Sequence, residues 1–118
     1  MNLQECRVLV AKTLNTYVEK YGPSEPKTKA EIRQILGDLP LHVMFLESDM
    51  CYNKTNKANL KTYPEDIIVF ENTGRGMYRI LGENYPYSGD VIWKNKTGKE
   101  VIVGRWNEGV LDYWGLNK

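Results

Sequence analysis

The span from Thr73 to Gly89 constrains this chain more than any other. It places four glycines, three tyrosines and two arginines around one short apolar run, Met77 to Leu81. That pattern reads as a turn, a strand and a structured loop. Gly74 and Gly76 flank Arg75, so the backbone is free to take positive φ on either side of an exposed cation, as at a hairpin tip. Tyr85, Pro86 and Tyr87 then form a stiff aromatic corner.

Ahead of this span the pattern is helical. Leu3, Cys6, Val10, Leu14, Tyr17 and Tyr21 recur every three or four residues, with Val18 widening the stripe, and predict an amphipathic helix. Gly22-Pro23 ends it. Ser24-Glu25-Pro26 reads as a short linker. Thr28 and Glu31 stand three apart, the reciprocal pattern of a capping box, and open a second helix with Ile32, Ile35 and Leu36 on its buried face. Residues 38–47 are too apolar for an exposed loop and contain Pro40, so they read as a buried connector. Ser48 or Asp49 then caps an expected third helical segment running to about Leu60. Between Met50 and Thr62 it carries no acid, and its polar face is Asn53, Lys54, Thr55, Asn56, Lys57, Asn59 and Lys61.

Behind Tyr63-Pro64 the period changes to that of strands. Ile67 to Phe70 and Met77 to Leu81 form one expected hairpin. Val91-Ile92-Trp93 and Val101-Ile102-Val103 flank Asn95-Lys96-Thr97-Gly98 as a second, and Asn107-Glu108-Gly109 turns the chain into Val110 to Trp114. The expected architecture is one α+β domain over residues 1–118, mainly helical over 1–61 and mainly antiparallel strand over 62–118. A chain of 118 residues has room for a single core.

Charge and cysteine content narrow the classes. With 16 basic and 15 acidic residues the net charge is +1, so attraction to nucleic acid must come from a local patch. Cys6 and Cys51 form no metal-ligand spacing and fit a reduced interior, which with the charged start of the chain points to a cytoplasmic protein without a secretory signal or membrane span.

The order of helix, capped helix, polar third helix and a hairpin tipped by Gly74-Arg75-Gly76 resembles a winged helix-turn-helix domain. The resemblance implies a third helix lying in the DNA major groove and a hairpin wing touching the neighbouring backbone. More narrowly, Ser48-Asp49-x-Cys51-Tyr52-Asn53, Gly76-x-Tyr78 and the run Gly82-Glu83-Asn84-Tyr85-Pro86-Tyr87 are similar to a group of small uncharacterised bacterial and phage proteins.

Candidate contacts follow. Asn53, Lys54, Asn56, Lys57 and Lys61 offer phosphate neutralisation and adenine-edge pairing. Arg75 and Arg79 fit a wing reaching phosphate, and Tyr85, Tyr87 and Trp93 offer faces for stacking, or else core volume in a chain with two phenylalanines. Catalysis has less support. His42 is the single histidine and lies in the apolar connector; Cys51 lacks an orienting acid, and no carboxylate spacing marks a metal site. No cofactor is expected and no enzyme is read. The expectation is a nucleic-acid-binding module; the alternative is a protein-interaction module, such as a phage-encoded inhibitor of a host defence nuclease complex, anchored by tyrosine, tryptophan and arginine.

Overall fold

A computed structural model describes residues 2–39, 47–56 and 67–116. The fold is α+β. Helix α1 spans Leu3–Tyr21, strand β1 Lys27–Thr28 and helix α2 Lys29–Leu36. A 3₁₀ turn covers Glu47–Met50 and strand β2 covers Lys54–Thr55. The strands that follow are β3 Phe70–Gly74, β4 Met77–Ile80, β5 Gly89–Lys94, β6 Glu100–Asn107 and β7 Val110–Tyr113.

The helices form where the spacing predicts them. Asn2 caps α1 and Thr28 caps α2, each in a capping box with the glutamate three residues on. Gly22 and Gly37 end them, each donating its backbone N–H to the carbonyl four residues back. Cys6, Val10, Leu14, Ile32 and Leu36 are buried, and Met50, Val69, Phe70, Tyr78 and Ile80 close the core from the sheet side. Tyr21 belongs to the predicted stripe but is 65% exposed, because it sits in the last turn of α1.

Two sheets follow. The first has the order β1-β4-β3, and the second β2-β5-β6-β7. The predicted hairpins β3–β4, β5–β6 and β6–β7 are antiparallel, but the strand expected over Ile67–Phe70 begins at Phe70 and takes in Glu71–Gly74, part of the expected turn. At the first tip only Gly76 takes positive φ, +70°; Gly74 pairs with Met77 at a bulge instead. The stretch read as a linker is part of the sheet's edge. Buried Ser24 donates its N–H to the Ile80 carbonyl and accepts the Ile80 N–H at Oγ, which leads the chain into β1 beside β4.

The expected third helix is not formed over the residues described. The 3₁₀ turn takes Ser48, Asp49 and Met50 from its start together with Glu47 from the expected connector, and the chain then extends. Cys51 bridges Phe70 in parallel, and the side-chain amide of Asn53 donates to the Asn72 carbonyl at 2.7 Å and accepts the Asn72 N–H at 2.9 Å. Asparagine and threonine favour local hydrogen bonding over helix, and the open edges of β3 and β5 decide the outcome. β2 then pairs in parallel with β5, a strand that alternation alone did not reveal.

Gly104 marks where the second sheet bends. Val91 pairs with Gly104 but Ile92 with Ile102, so Val103 is an extra residue on β6 and the sheet bulges. A Cβ on Gly104 would lie 2.9 Å from the Asp112 carbonyl oxygen and 3.1 Å from the Tyr113 ring. Gly104→Ala is expected to cost about 1–3 kcal/mol, as overpacking does. Gly74→Ala, which meets nothing within 4 Å, is expected to stay within about 0.5 kcal/mol of the parent. Urea denaturation of both variants checks the contrast.

Candidate functional site

The segment from Cys51 to Thr55 joins the two sheets. It runs parallel to β3 through the Cys51–Phe70 bridge and the Asn53–Asn72 pair, then parallel to β5 through Lys54–Ile92 and Thr55–Trp93. Three chain segments therefore advance in the same direction. β3 ends in the turn that carries Arg75; β5 ends in Lys94 and a turn that carries Lys96 and Lys99. Arg75, Lys54, Lys94, Lys96 and Lys99 thus share one end of the molecule and are all exposed. Glu100, opposite Lys94, is the acid nearest to them in the β5–β6 register.

That lysine turn is rigid. The side-chain oxygen of Asn95 accepts from the N–H of Thr97 at 3.0 Å, the hydroxyl of Thr97 at 2.7 Å and the N–H of Lys99 at 2.9 Å. Backbone bonds from Asn95 to the Lys99 carbonyl and from Gly98 to the Asn95 carbonyl close it. Three lysines in six residues, with no acid between them, was the sequence signal for this feature; reading the stretch only as a glycine turn overlooked it.

Other predicted contacts are occupied internally. Asn53 holds β3, as above. Asn56 donates to Asp49, whose other carboxylate oxygen takes Arg7 at 3.2 Å. Arg79 donates Nη1 to Glu71 at 3.0 Å and Nε to the Ser24 carbonyl at 3.1 Å, so it ties β4 to β3 and to the segment that precedes β1. Lys57, Lys61 and His42 lie outside the described residues. Among the described residues no group of three or more His, Cys, Asp or Glu side chains comes together as a metal site, and no helix is long and apolar enough to cross a membrane.

Two of the three aromatic candidates, Tyr85 and Tyr87, gather elsewhere, around Tyr52. Its ring stacks on Tyr87 at 5.1 Å, meets Trp106 edge-on at 5.1 Å and lies 6.4 Å from Tyr85. The Tyr52 hydroxyl donates to the Gly82 carbonyl at 2.7 Å and accepts the Tyr85 N–H at 3.2 Å; the Trp106 indole donates to the Tyr52 carbonyl. Tyr87 is buried and donates its hydroxyl to Glu71. Trp93 is half-buried on β5 and does not join this cluster. The Gly-Glu-Asn-Tyr-Pro-Tyr run is thus the docking loop for Tyr52.

Burial pushes the Tyr52 phenol up from 10.0 to about 12, with the Glu83 carboxylate adding to the rise. Burial also pushes the Cys51 thiol up from 9.0 to about 12 and raises the Tyr87 phenol. These neutral forms are favoured by folding, so their contribution is full below the unfolded value and is lost as pH rises through the folded one. The urea midpoint is expected to decline from about pH 9 and fall steeply between pH 10 and 12. In Tyr52→Phe the fall is shallower, and stability at neutral pH drops by about 1–3 kcal/mol because the Tyr85 N–H and Gly82 carbonyl lose their partner.

Comparison with known proteins places this geometry in a family. Residues 12–113 match the profile of a domain of unknown function (DUF7225). The chain is 36% identical over 97 residues to "Uncharacterized protein YnaC" of Bacillus subtilis (strain 168), an alignment that covers 81% of this chain and 34% of that protein. The chain therefore spans about a third of the length of that relative. No solved structure matches. With most of its length inside the family profile, from the middle of α1 to the end of β7, the chain belongs to the DUF7225 family.

Proposed function

We propose that this domain is a non-enzymatic nucleic-acid-binding module that holds the phosphate backbone at its lysine-bearing end. The observation that carries the reading is the parallel course of β3, residues 51–55 and β5, which delivers Arg75, Lys54 and the Lys94–Lys99 turn to one end. Exposed ammonium groups gathered on a hydrogen-bonded turn release condensed counterions on meeting a polyanion, and this term is largely independent of sequence. The turn frozen by Asn95 plays the part expected of the wing. The β3–β4 tip adds one arginine. Arg79, Asn53 and Asn56 serve the fold rather than the contact, and Tyr85 and Tyr87 belong to the aromatic cluster.

A second reading, a protein-interaction module, is favoured by a different surface. The outer face of the second sheet forms an open groove of about 920 Å³ lined by Ile102, Arg105, Asn107, Val110, Asp112 and Trp114, with Val110 70% exposed. A tryptophan, an arginine and exposed aliphatic groups suit a protein contact.

Fluorescence anisotropy with mixed-sequence duplex and single-stranded DNA decides for or against the first reading. Binding is expected to weaken by an order of magnitude or more between about 50 mM and 200 mM salt. Replacing Lys94, Lys96 and Lys99 by Glu together is expected to remove at least about ten-fold of the low-salt affinity and to flatten the salt slope by about 3. A parent protein that binds neither duplex nor single strands at low salt overturns the reading, as does a triple variant that binds like the parent.

A further inference from the structure

The lysine-bearing end and the open groove on the second sheet adjoin, through the register of the strands. Directly paired residues share a face of a sheet, and alternate residues along a strand return to it. Lys54 pairs with Ile92, and Ile92 pairs with Ile102, so these side chains form one row across β2, β5 and β6. Lys94 follows Ile92 by two positions on β5 and stands on the same face, toward the lysine turn. Ile102 is 45% exposed and lines the groove together with Arg105, Val110, Asp112 and Trp114. The face of the groove is therefore the face of Lys54 and Lys94.

The chemistry changes along this face. At one end stand Lys54 and Lys94, both exposed, with Lys96 and Lys99 on the turn beyond, and Glu100 is the acid opposite Lys94. The middle is apolar. It holds Ile92, Ile102 and the half-buried Trp114, whose indole N–H donates to the Ile102 carbonyl at 3.2 Å. That bond uses the polar edge of the indole, so what the ring brings to the groove is apolar and π surface. At the far end Arg105 is bound to Asp90 at 2.8 Å and lies opposite Asp112. Two carboxylates around one guanidinium disfavour phosphate there. The distance along β5 from Lys94 to Asp90 is about 13 Å at ordinary strand rise.

We infer that this face binds single-stranded nucleic acid, with phosphates at Lys54 and Lys94 and unpaired bases laid on Ile92, Ile102 and Trp114. The inference rests on the reading that the lysine-bearing end holds phosphate, and it adds the form of nucleic acid taken. A duplex keeps its bases stacked inside and offers only backbone, which leaves the apolar middle without a use. A single strand presents base faces beside its phosphates, and every base has a π-face that covers apolar and aromatic side chains whatever the sequence. Sheet faces serve the same purpose in known single-strand binding modules. A protein contact accounts for the groove alone; a single strand accounts for the groove and for the ammonium groups beside it. The carboxylates at the far end stop the strand, so the contact spans a few nucleotides.

The test is fluorescence anisotropy of the whole protein with labelled oligodeoxythymidine, oligouridine and a mixed-sequence duplex of equal length, at about 50 mM salt. Single strands are expected to bind at least about ten-fold tighter than the duplex and to quench tryptophan emission as bases stack. The tighter of the two single strands assigns DNA or RNA as the source. Trp114→Leu is expected to weaken single-strand binding about ten-fold, toward the level of the duplex, and to remove most of the quenching. Its salt slope stays that of the parent, because no phosphate contact is lost. Ile102→Thr, at an exposed position, keeps the charge and the β-branched shape and is expected to act in the same direction. Circular dichroism confirms that each variant is folded. A duplex that binds as tightly as the single strands overturns the inference and leaves the phosphate-holding end standing. So do folded variants that bind single strands like the parent, which return the groove to a protein contact. Binding of neither form overturns both.

Discussion

The fold depends on one strand-like segment that serves two sheets. Residues 51–55 give their first half to β3 and their second half to β5, so neither sheet is positioned without them. The handover is held by backbone bonds on both sides. Tyr52 donates to the Phe70 carbonyl at 2.8 Å, and Ile92 donates to the Asn53 carbonyl at 3.0 Å. Asn53 adds a side chain that imitates a peptide unit and completes the ladder at Asn72. Leaving these groups unpaired in a buried seam would cost more than the bonds themselves return, so the segment is extended in spite of a composition that reads as helix.

The same segment sets the interior. Cys51 and Tyr52 are neighbours in sequence but point to opposite sides, as a strand requires. Cys51 enters the core of α1, α2 and the first sheet, whereas Tyr52 becomes the centre of the aromatic cluster under the second. Phe70 is buried in the first core, and the second cluster is built from tyrosine, tryptophan and aliphatic side chains. Using tyrosine for volume obliges the structure to satisfy each hydroxyl, and this explains the loop from Gly82 to Tyr87. Its backbone supplies the acceptor and the donor for Tyr52, and its own Tyr87 reaches the Glu71 carboxylate that Arg79 also holds.

The parts of this arrangement that are local were legible in the sequence. The capping box at Thr28, the glycine stops and the three hairpin turns all rest on residues within a few positions of each other, as does the box at Asn2, which the sequence reading missed. The expected third helix failed because its outcome was decided by edges about twenty and forty residues away, at Asn72 and Ile92. Ser24 was illegible for the same reason, since its partner is Ile80. The candidate contacts divided along this line. Arg75 stands exposed at the expected hairpin tip and Lys54 is exposed on β2 rather than on the expected helix, while Asn53, Asn56 and Arg79 were claimed by partners within the fold. The lysine turn was present as written, but its placement beside Lys54 required the parallel pairing of β2 with β5.

Net charge near zero is compatible with a strongly positive end because the two kinds of cation are used differently. Arg7, Arg33, Arg79 and Arg105 each meet a carboxylate, at Asp49, Glu47, Glu71 and Asp90. The planar guanidinium suits such fixed contacts, and its weaker hydration lowers the penalty of partial burial; Glu47 itself is 1% exposed. Lysine is held in one ion pair among these, Lys27 with Glu25, and for the other described lysines the compact, hydrated charge remains at the surface. Carboxylates are thereby drawn toward the arginines that tie the elements together. Lys54 and the Lys94–Lys99 turn, set at one end by the parallel strands, keep a field that the balance of the whole chain conceals.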